Sequence, residues 1–319
     1  MKHVSSVVPA LAEIGQLEFQ LTTHERKRIE SCELVRELRD EQRQDLAFHS
    51  RPFVLCGLPI RRPEAGTLKY TRRNGRFVLE IVAHPDFGLP FGQDRLIPLW
   101  VATLAVRQKS KTILFRSAAE ILEEFDLPRD GPHYRRLVDG FKRIFTSTIY
   151  FGTQTETTRN QLWDYRRFHF FDRLKVWYAK EYSDNGEAEP AERGNIISLS
   201  ESFWQEIQAH PIPVDLNVVR GLTNNPGCLD LYMWLVWRCF SAKRTESIPL
   251  FGALGLAAQL GVFEYTRDRN FRKRLKEWLH TVALYWPDCP AKLSDDGSGL
   301  LVGPARAICS ADALIRKGA

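Results

Sequence analysis

At 319 residues the chain is about twice the usual single-domain length, so two units, each able to bury a core, are expected. Hydrophobic residues at 44% and charged residues at 26%, with ordinary Gly and Pro, exclude a fibrous or disordered chain. The net charge of +6 is a mild pointer to a polyanionic partner.

The first residues, MKHVSSVVPALAEIG, are weakly apolar and interrupted by Ser5, Ser6 and Pro9, which makes a poor secretory signal. Residues 24–46 mix acidic and basic residues among helix formers and are expected as a solvated helix or a partner-binding arm, within an N-terminal segment 1–49. Short strands are expected over 53–59, 67–71 and 77–81, the last two around the turn Asn74-Gly75. Apolar residues at helical spacing predict a helix over 94–108, followed by a strand over 112–115. Ser117 and Glu120 form an S-x-x-E capping box for the next helix, and Pro132 suits the first position of another, HYRRLVDGFKRIF. Strands over 147–153 and 165–178 follow. In the second, Phe168 and Phe170 share one face and Arg167 and His169 the other, as in a sheet edge for self-association or an ordinary half-buried strand. Helix, strand, helix, helix, hairpin is the winged-helix order.

That order returns roughly 135 residues later, and a repeat of this kind exposes architecture. After 211–227, read as a linker, Asn225-Pro226 starts the helix CLDLYMWLVWRCF, and an apolar run over 248–251 follows. A helix ending at Gly261 comes next, then a helix capped by Thr266, RDRNFRKRLKEWLHTV, and two strand-like runs around SDDGSG. Trp100 matches Trp234, Phe115 matches Phe251 and Leu137 matches Leu275 in this series. The expectation is an α+β chain of two tandem winged-helix domains related by an internal pseudo-repeat. The first spans 50–210, with dimerisation and auxiliary DNA contact, and the second spans 228–319, with the main DNA recognition.

On the third helix of the second unit, Phe271, Leu275, Trp278, Leu279 and Val282 form one buried stripe. The opposite face carries Arg269, Lys273, Lys276 and His280, with Arg272 on the flank and Asn270 near the N-terminal end. The major groove admits a helix, Arg or Lys can bond guanine O6 and N7, and Asn can reach an adenine edge. The alternative is a solvated amphipathic helix with a basic bias. In the first unit Leu137, Val138, Phe141, Ile144 and Phe145 form the stripe. Arg135, Arg136, Lys142 and Arg143 are its auxiliary DNA-binding candidates, although Asp139 on the same outer face would meet phosphates badly. That helix is a backbone contact or a structural element.

No G-x-x-x-x-G-K-[ST] loop is present, which disfavours an ATP-driven helicase. The eight histidines are scattered and the six cysteines show no C-x-x-C spacing, so neither a metal-dependent nicking site nor a zinc site has support. Asp295-Asp296-Gly297 reads as a turn rather than a metal-binding acidic pair. No catalytic residue, metal or cofactor is expected. No stretch approaches the roughly 18 continuous apolar residues of a membrane span, so a cytoplasmic chain without a membrane partner is expected.

The stretch LIPLWVATLAVRQKSKTILFRSAAEILEEFDLPRDGPHYRRLVDGFKRIFTSTIYFGT, residues 96–153, resembles plasmid RepA-type replication initiators, and a looser likeness extends over about 50–290. The resemblance implies two winged-helix domains that bind repeated origin sequences (iterons), open adjacent DNA and recruit the host replicative helicase alongside the host initiator. It implies a homodimer formed through the N-terminal domain. It also implies the iteron-reading role for Arg269, Asn270, Arg272, Lys273 and Lys276. The alternative from the same fold is a winged-helix transcriptional repressor, which could act on its own gene.

Overall fold

The computed structural model describes residues 22–41, 44–117, 119–156, 161–168, 170–175, 195–252, 254–261 and 267–306. Helix and sheet are mixed along the chain, in keeping with the α+β expectation. Among the described residues no helix is long and apolar enough to cross a membrane. Residues 1–21 and 176–194, with the end of the strand expected to reach 178, lie outside the described residues, as do His169 and Thr266.

Helix α1 (Thr23–Asp40) lies where the charge-rich segment predicts one, but it is docked along one face. Cys32 and Val35 are buried, and Arg36 donates from Nε and from a terminal nitrogen to the Leu284 carbonyl at 3.1 and 2.9 Å. Strand β1 (Leu46–Ser50) and helix α2 (Arg51–Leu55) replace the strand expected over 53–59. Pro52 accounts for the difference: its fixed φ suits a first helical turn, and its missing N–H cannot serve a sheet ladder. Strands β2 (Lys69–Asn74) and β3 (Phe77–Val82) form the expected hairpin, with Gly75 at φ +58°, the left-handed conformation such a turn requires.

Helix α3 (Leu96–Gln108), strand β4 (Thr112–Phe115), helix α4 (Ala119–Glu124) and helix α5 (Gly131–Thr146) follow in the expected order. Asp130 caps α5 by accepting the His133 N–H at 2.8 Å, with Pro132 in the first turn. At α4 the Glu120 carboxylate accepts the Arg116 backbone N–H at 2.8 Å, one residue upstream of the expected box.

After α5 the chain departs from expectation. Strands β5 (Thr148–Glu156) and β6 (Gln161–Phe168) pair as a hairpin, but the single strand expected over 165–178 is broken. The chain leaves β6 at Phe168 and re-enters a different sheet as β7 (Phe171–Lys175). Phe170 and its neighbour Phe171 are both buried, which a continuous strand with period-two alternation does not allow.

Strand β8 (Asn195–Leu199) and helix α6 (Glu201–Ala209) lead into strand β9 (Pro211–Asp215) and helix α7 (Leu216–Leu222). Residues 211–227, read from sequence as a linker, are thus largely structured. Strand β9 pairs antiparallel with β1, and Val214, Leu216, Val218, Val219 and Leu222 are buried. The polar residues that suggested a linker serve as caps instead: Asp215 accepts the Asn217 N–H at 3.0 Å and Asn225 accepts the Cys228 N–H at 3.4 Å.

The remaining elements are helix α8 (Pro226–Ser241), strand β10 (Glu246–Pro249), helix α9 (Leu256–Leu260), helix α10 (Asp268–Tyr285) and strands β11 (Ala291–Leu293) and β12 (Gly299–Val302). Strand order is β2-β3-β5-β6 in one sheet, β4-β8-β7 in a second and β10-β12-β11 in a third. The two three-stranded sheets share a topology, since the strand that precedes a helix pair bonds to the last strand of the hairpin that follows it. In the first unit that hairpin is β7 and β8; the expected β5 and β6 instead extend the β2–β3 hairpin.

The buried side chains form one connected core across both halves. At its centre the Asp230 carboxylate of α8 accepts from Arg95 at 3.1 Å on each oxygen. Arg95 also donates to the carbonyls of Leu58, Pro59 and Gly92, and Arg72 of β2 lies 3.9 Å from the same carboxylate while donating to the Gln259 carbonyl at 2.8 Å. Burial pushes the Asp230 carboxyl up and the Arg95 guanidinium down, and the mutual attraction of the opposite charges opposes both shifts.

Replacing one member of such a buried pair strands the other, at a cost of about 3–5 kcal/mol. Asp230→Ala is expected to lower the unfolding free energy in urea by about that amount, whereas replacing the whole triad, Asp230→Leu with Arg95→Met and Arg72→Met, recovers much of the loss. His49 is buried against Phe53, with ring centroids 5.6 Å apart, and its pKa is pushed down from 6.5 to about 3, by burial first and Arg95 second. The unfolded chain therefore takes up a proton that the fold refuses. The His49 contribution is intact above about pH 6.5 and is lost as pH falls toward 3, at about 1.4 kcal/mol per pH unit. The unfolding free energy of the chain should fall relative to that of His49→Phe as pH drops through that window; a difference between the two that stays constant with pH would remove His49 as the cause.

Candidate nucleic-acid interface

Helix α10 owes its orientation to its inner face. Phe271, Leu275, Trp278 and Val282 are buried as the spacing predicts, Leu279 packs at the edge of the core and Tyr285 completes the stripe. Two glycines let the helix seat closely. A Cβ on Gly227 would lie 2.2 Å from the Trp278 ring, and one on Gly221 would lie 2.2 Å from the Tyr285 hydroxyl oxygen. The Arg36 guanidinium of α1 sits on the Leu284 carbonyl at the C-terminal end, where a cation satisfies an orphan acceptor and complements the helix dipole. At the other end Arg267 occupies the cap position without a side-chain cap hydrogen bond.

The outer face is exposed at Arg269, Asn270, Arg272, Lys273, Lys276 and His280. Four of these, Arg269, Arg272, Lys273 and Lys276, line an open groove of about 500 Å³ together with Leu250, Leu293, Asp296 and Gly297. The β11–β12 turn therefore stands beside the helix as the opposite wall. Among the described residues Arg269, Lys273 and Lys276 have no ion-pair partner, whereas Arg274 is tied to Glu277 at 2.8 Å. The groove thus presents unneutralised cations at a spacing that helical geometry holds constant. Its wall is rigid: Asp296 accepts from both the Ser294 and Ser298 hydroxyls, at 2.6 and 2.7 Å, and from the Ser298 N–H at 3.0 Å, which holds its carboxyl down at about 2. These bonds within the turn place Asp295-Asp296-Gly297 in the turn role read from the sequence.

Helix α5 is arranged differently. Arg143 donates to both Asp94 oxygens at 2.6 and 2.9 Å and lies 4.7 Å over the Phe91 ring, so its guanidinium is taken up inside the fold. Arg136 donates to Gln93 at 3.1 Å, Lys142 lies 3.7 Å from Asp139, and Arg135 donates to its own helix at Gly131. Sequence periodicity places Arg143 on the outer face because its main partner, Asp94, comes from a short 3₁₀ turn (Gly92–Arg95) that no helical wheel of α5 contains. The same periodicity cannot reveal Phe251, which belongs to the turn after β10 although its ring centroid lies 5.0 Å from the Arg272 guanidinium carbon.

Residues 149–247, from β5 into β10, match a family model described as plasmid encoded RepA protein. The matched stretch adjoins and barely overlaps residues 96–153, which carry the resemblance in the sequence. Among solved structures, the crystal structure of RctB domains 2 and 3 is similar with a TM-score of 0.48 and 15% identity, covering 78% of this chain and 94% of that chain. A selenomethionine derivative of the same two domains gives a TM-score of 0.45 and 16% identity, over 76% and 93% of the respective chains. No curated protein matches the chain.

The different settings of the two sets of cations yield an expectation for stability. Arg143→Ala leaves the buried Asp94 carboxylate short of its partner and should cost about 3–5 kcal/mol in urea unfolding. Arg135→Ala, at an exposed position, should stay within about 0.5 kcal/mol of the unaltered chain. Equal losses would contradict the assignment of Arg143 to the fold.

Proposed function

We propose that the chain is a non-enzymatic plasmid replication initiator, built of two tandem winged-helix units, that binds repeated double-stranded origin DNA through the groove of α10. The observation that carries the reading is the open groove lined by Arg269, Arg272, Lys273 and Lys276 on a helix locked by its opposite face. The family match over 149–247 supports the plasmid replication role, and the equivalent strand orders β4-β8-β7 and β10-β12-β11 support the winged-helix reading of both units. In this reading α10 enters the major groove and the β11–β12 turn lies along the adjacent backbone. Phosphate contacts supply most of the affinity and base edges supply the discrimination. The first unit serves in self-association, and bound chains open neighbouring DNA for the host helicase and initiator.

The test is a plasmid that carries the coding sequence with its flanking DNA and has no other origin. It should replicate in a host, and the Arg269→Ala/Lys273→Ala variant should abolish replication while retaining its unfolding transition. Footprinting should show protected direct repeats spaced by whole helical turns, with affinity falling steeply as salt rises and Lys273→Ala reducing the log–log salt slope by about 1. Protection of one palindrome over a promoter, with no replication, would establish the repressor in its place.

A further inference from the structure

Resting on that DNA-binding reading, we propose that Arg272 is the guanine-reading residue of the groove and that Phe251 is its positioning residue. The Arg272 guanidinium carbon lies 5.0 Å over the Phe251 ring centroid. That ring is held edge-on against Phe271 at 5.8 Å, and Phe271 is anchored in the buried stripe of α10. Arg269, Lys273 and Lys276 line the same groove, but among the described residues none of them stacks on a ring.

The contact has two consequences. The ring limits the directions open to the guanidinium, and among the described residues none of its N–H donors is spent on a hydrogen bond within the fold, so the fork that matches guanine O6 and N7 stays available. It also restricts the side chain before DNA arrives, so less rotamer freedom is lost on docking. The unstacked cations carry no such directional constraint and suit the phosphate backbone, where charge matters more than orientation. The groove is therefore divided: Arg272 discriminates, and Arg269, Lys273 and Lys276 hold. A guanine facing Arg272 becomes a required base of the recognised repeat.

The probe is a duplex pool randomised over about two helical turns, selected by the full chain, with the resulting consensus then synthesised carrying 7-deazaguanine at single positions. One guanine is expected at which loss of N7 weakens binding on the order of tenfold. Arg272→Ala should accept any base there, and Arg272→Lys, which keeps the charge and loses the planar fork, should recover affinity with weaker preference for guanine than the unaltered chain. Phe251→Leu should lose discrimination with an unchanged salt slope, Phe251→Tyr should keep it, and Phe251→Leu/Arg272→Ala should discriminate no worse than Arg272→Ala alone. Should Phe251→Leu fail to fold, the Ala and Lys variants at the exposed position 272 decide the matter. An unaltered consensus from Arg272→Ala overturns the guanine assignment and leaves the DNA-binding reading standing. The absence of any consensus from the unaltered chain overturns both.

Discussion

The Asp230 carboxylate is the point on which the arrangement turns. It is a buried acid at the start of α8, and it is accommodated because Arg95 meets both of its oxygens and Arg72 stands nearby. Those two arginines come from the first half of the chain, one from the short turn before α3 and the other from β2. Through their remaining donors they reach the carbonyls of Leu58, Pro59, Gly92 and Gln259, so one charge cluster gathers five separate stretches of backbone. Such a cluster contributes little net stability compared with apolar packing. It does penalise any packing of the two halves that leaves a charge without its partner.

The halves are accordingly joined, and this bears on the candidate interface. Helix α10 rests on α8 through the Trp278 and Gly227 contact, and α8 is tied to the first half at Asp230. Helix α1 reaches the far end of α10 through Arg36, while β1 and β9 close a two-stranded ladder between distant parts of the chain. The basic face of α10 is thus presented by the whole molecule.

The two long basic helices show how alike sequences acquire different roles. Both α5 and α10 carry an apolar stripe and an outer face of arginine and lysine. On α5 the neighbouring turn provides Asp94 and Gln93, which take up Arg143 and Arg136. On α10 the neighbouring elements provide the aromatic ring of Phe251 and the wall around Asp296, whose carboxylate is occupied by its own serines. On α5 the Arg143 charge was consumed in folding while Arg135 and Arg136 stayed exposed, and on α10 Arg269, Lys273 and Lys276 were all left to face outward.

Much was legible in the sequence because it depends on local chemistry. Helical spacing determined the stripe and the exposed face of α10, Asn74-Gly75 determined the β2–β3 turn, and Pro132 marked where α5 begins. The order of elements in the second unit followed from the same rules. The tertiary structure alone decided which strands share a sheet, since pairing is a choice among distant partners that no window of sequence contains: β4 met β8, and β5 met β3. It decided that 211–227 is packed, because caps and linkers draw on the same polar residues and only burial separates them. It also decided which cations were free. A side chain's periodic position fixes the direction in which it points, but its charge remains available only if nothing folded against it is of opposite sign, and for Arg143 that neighbour was Asp94.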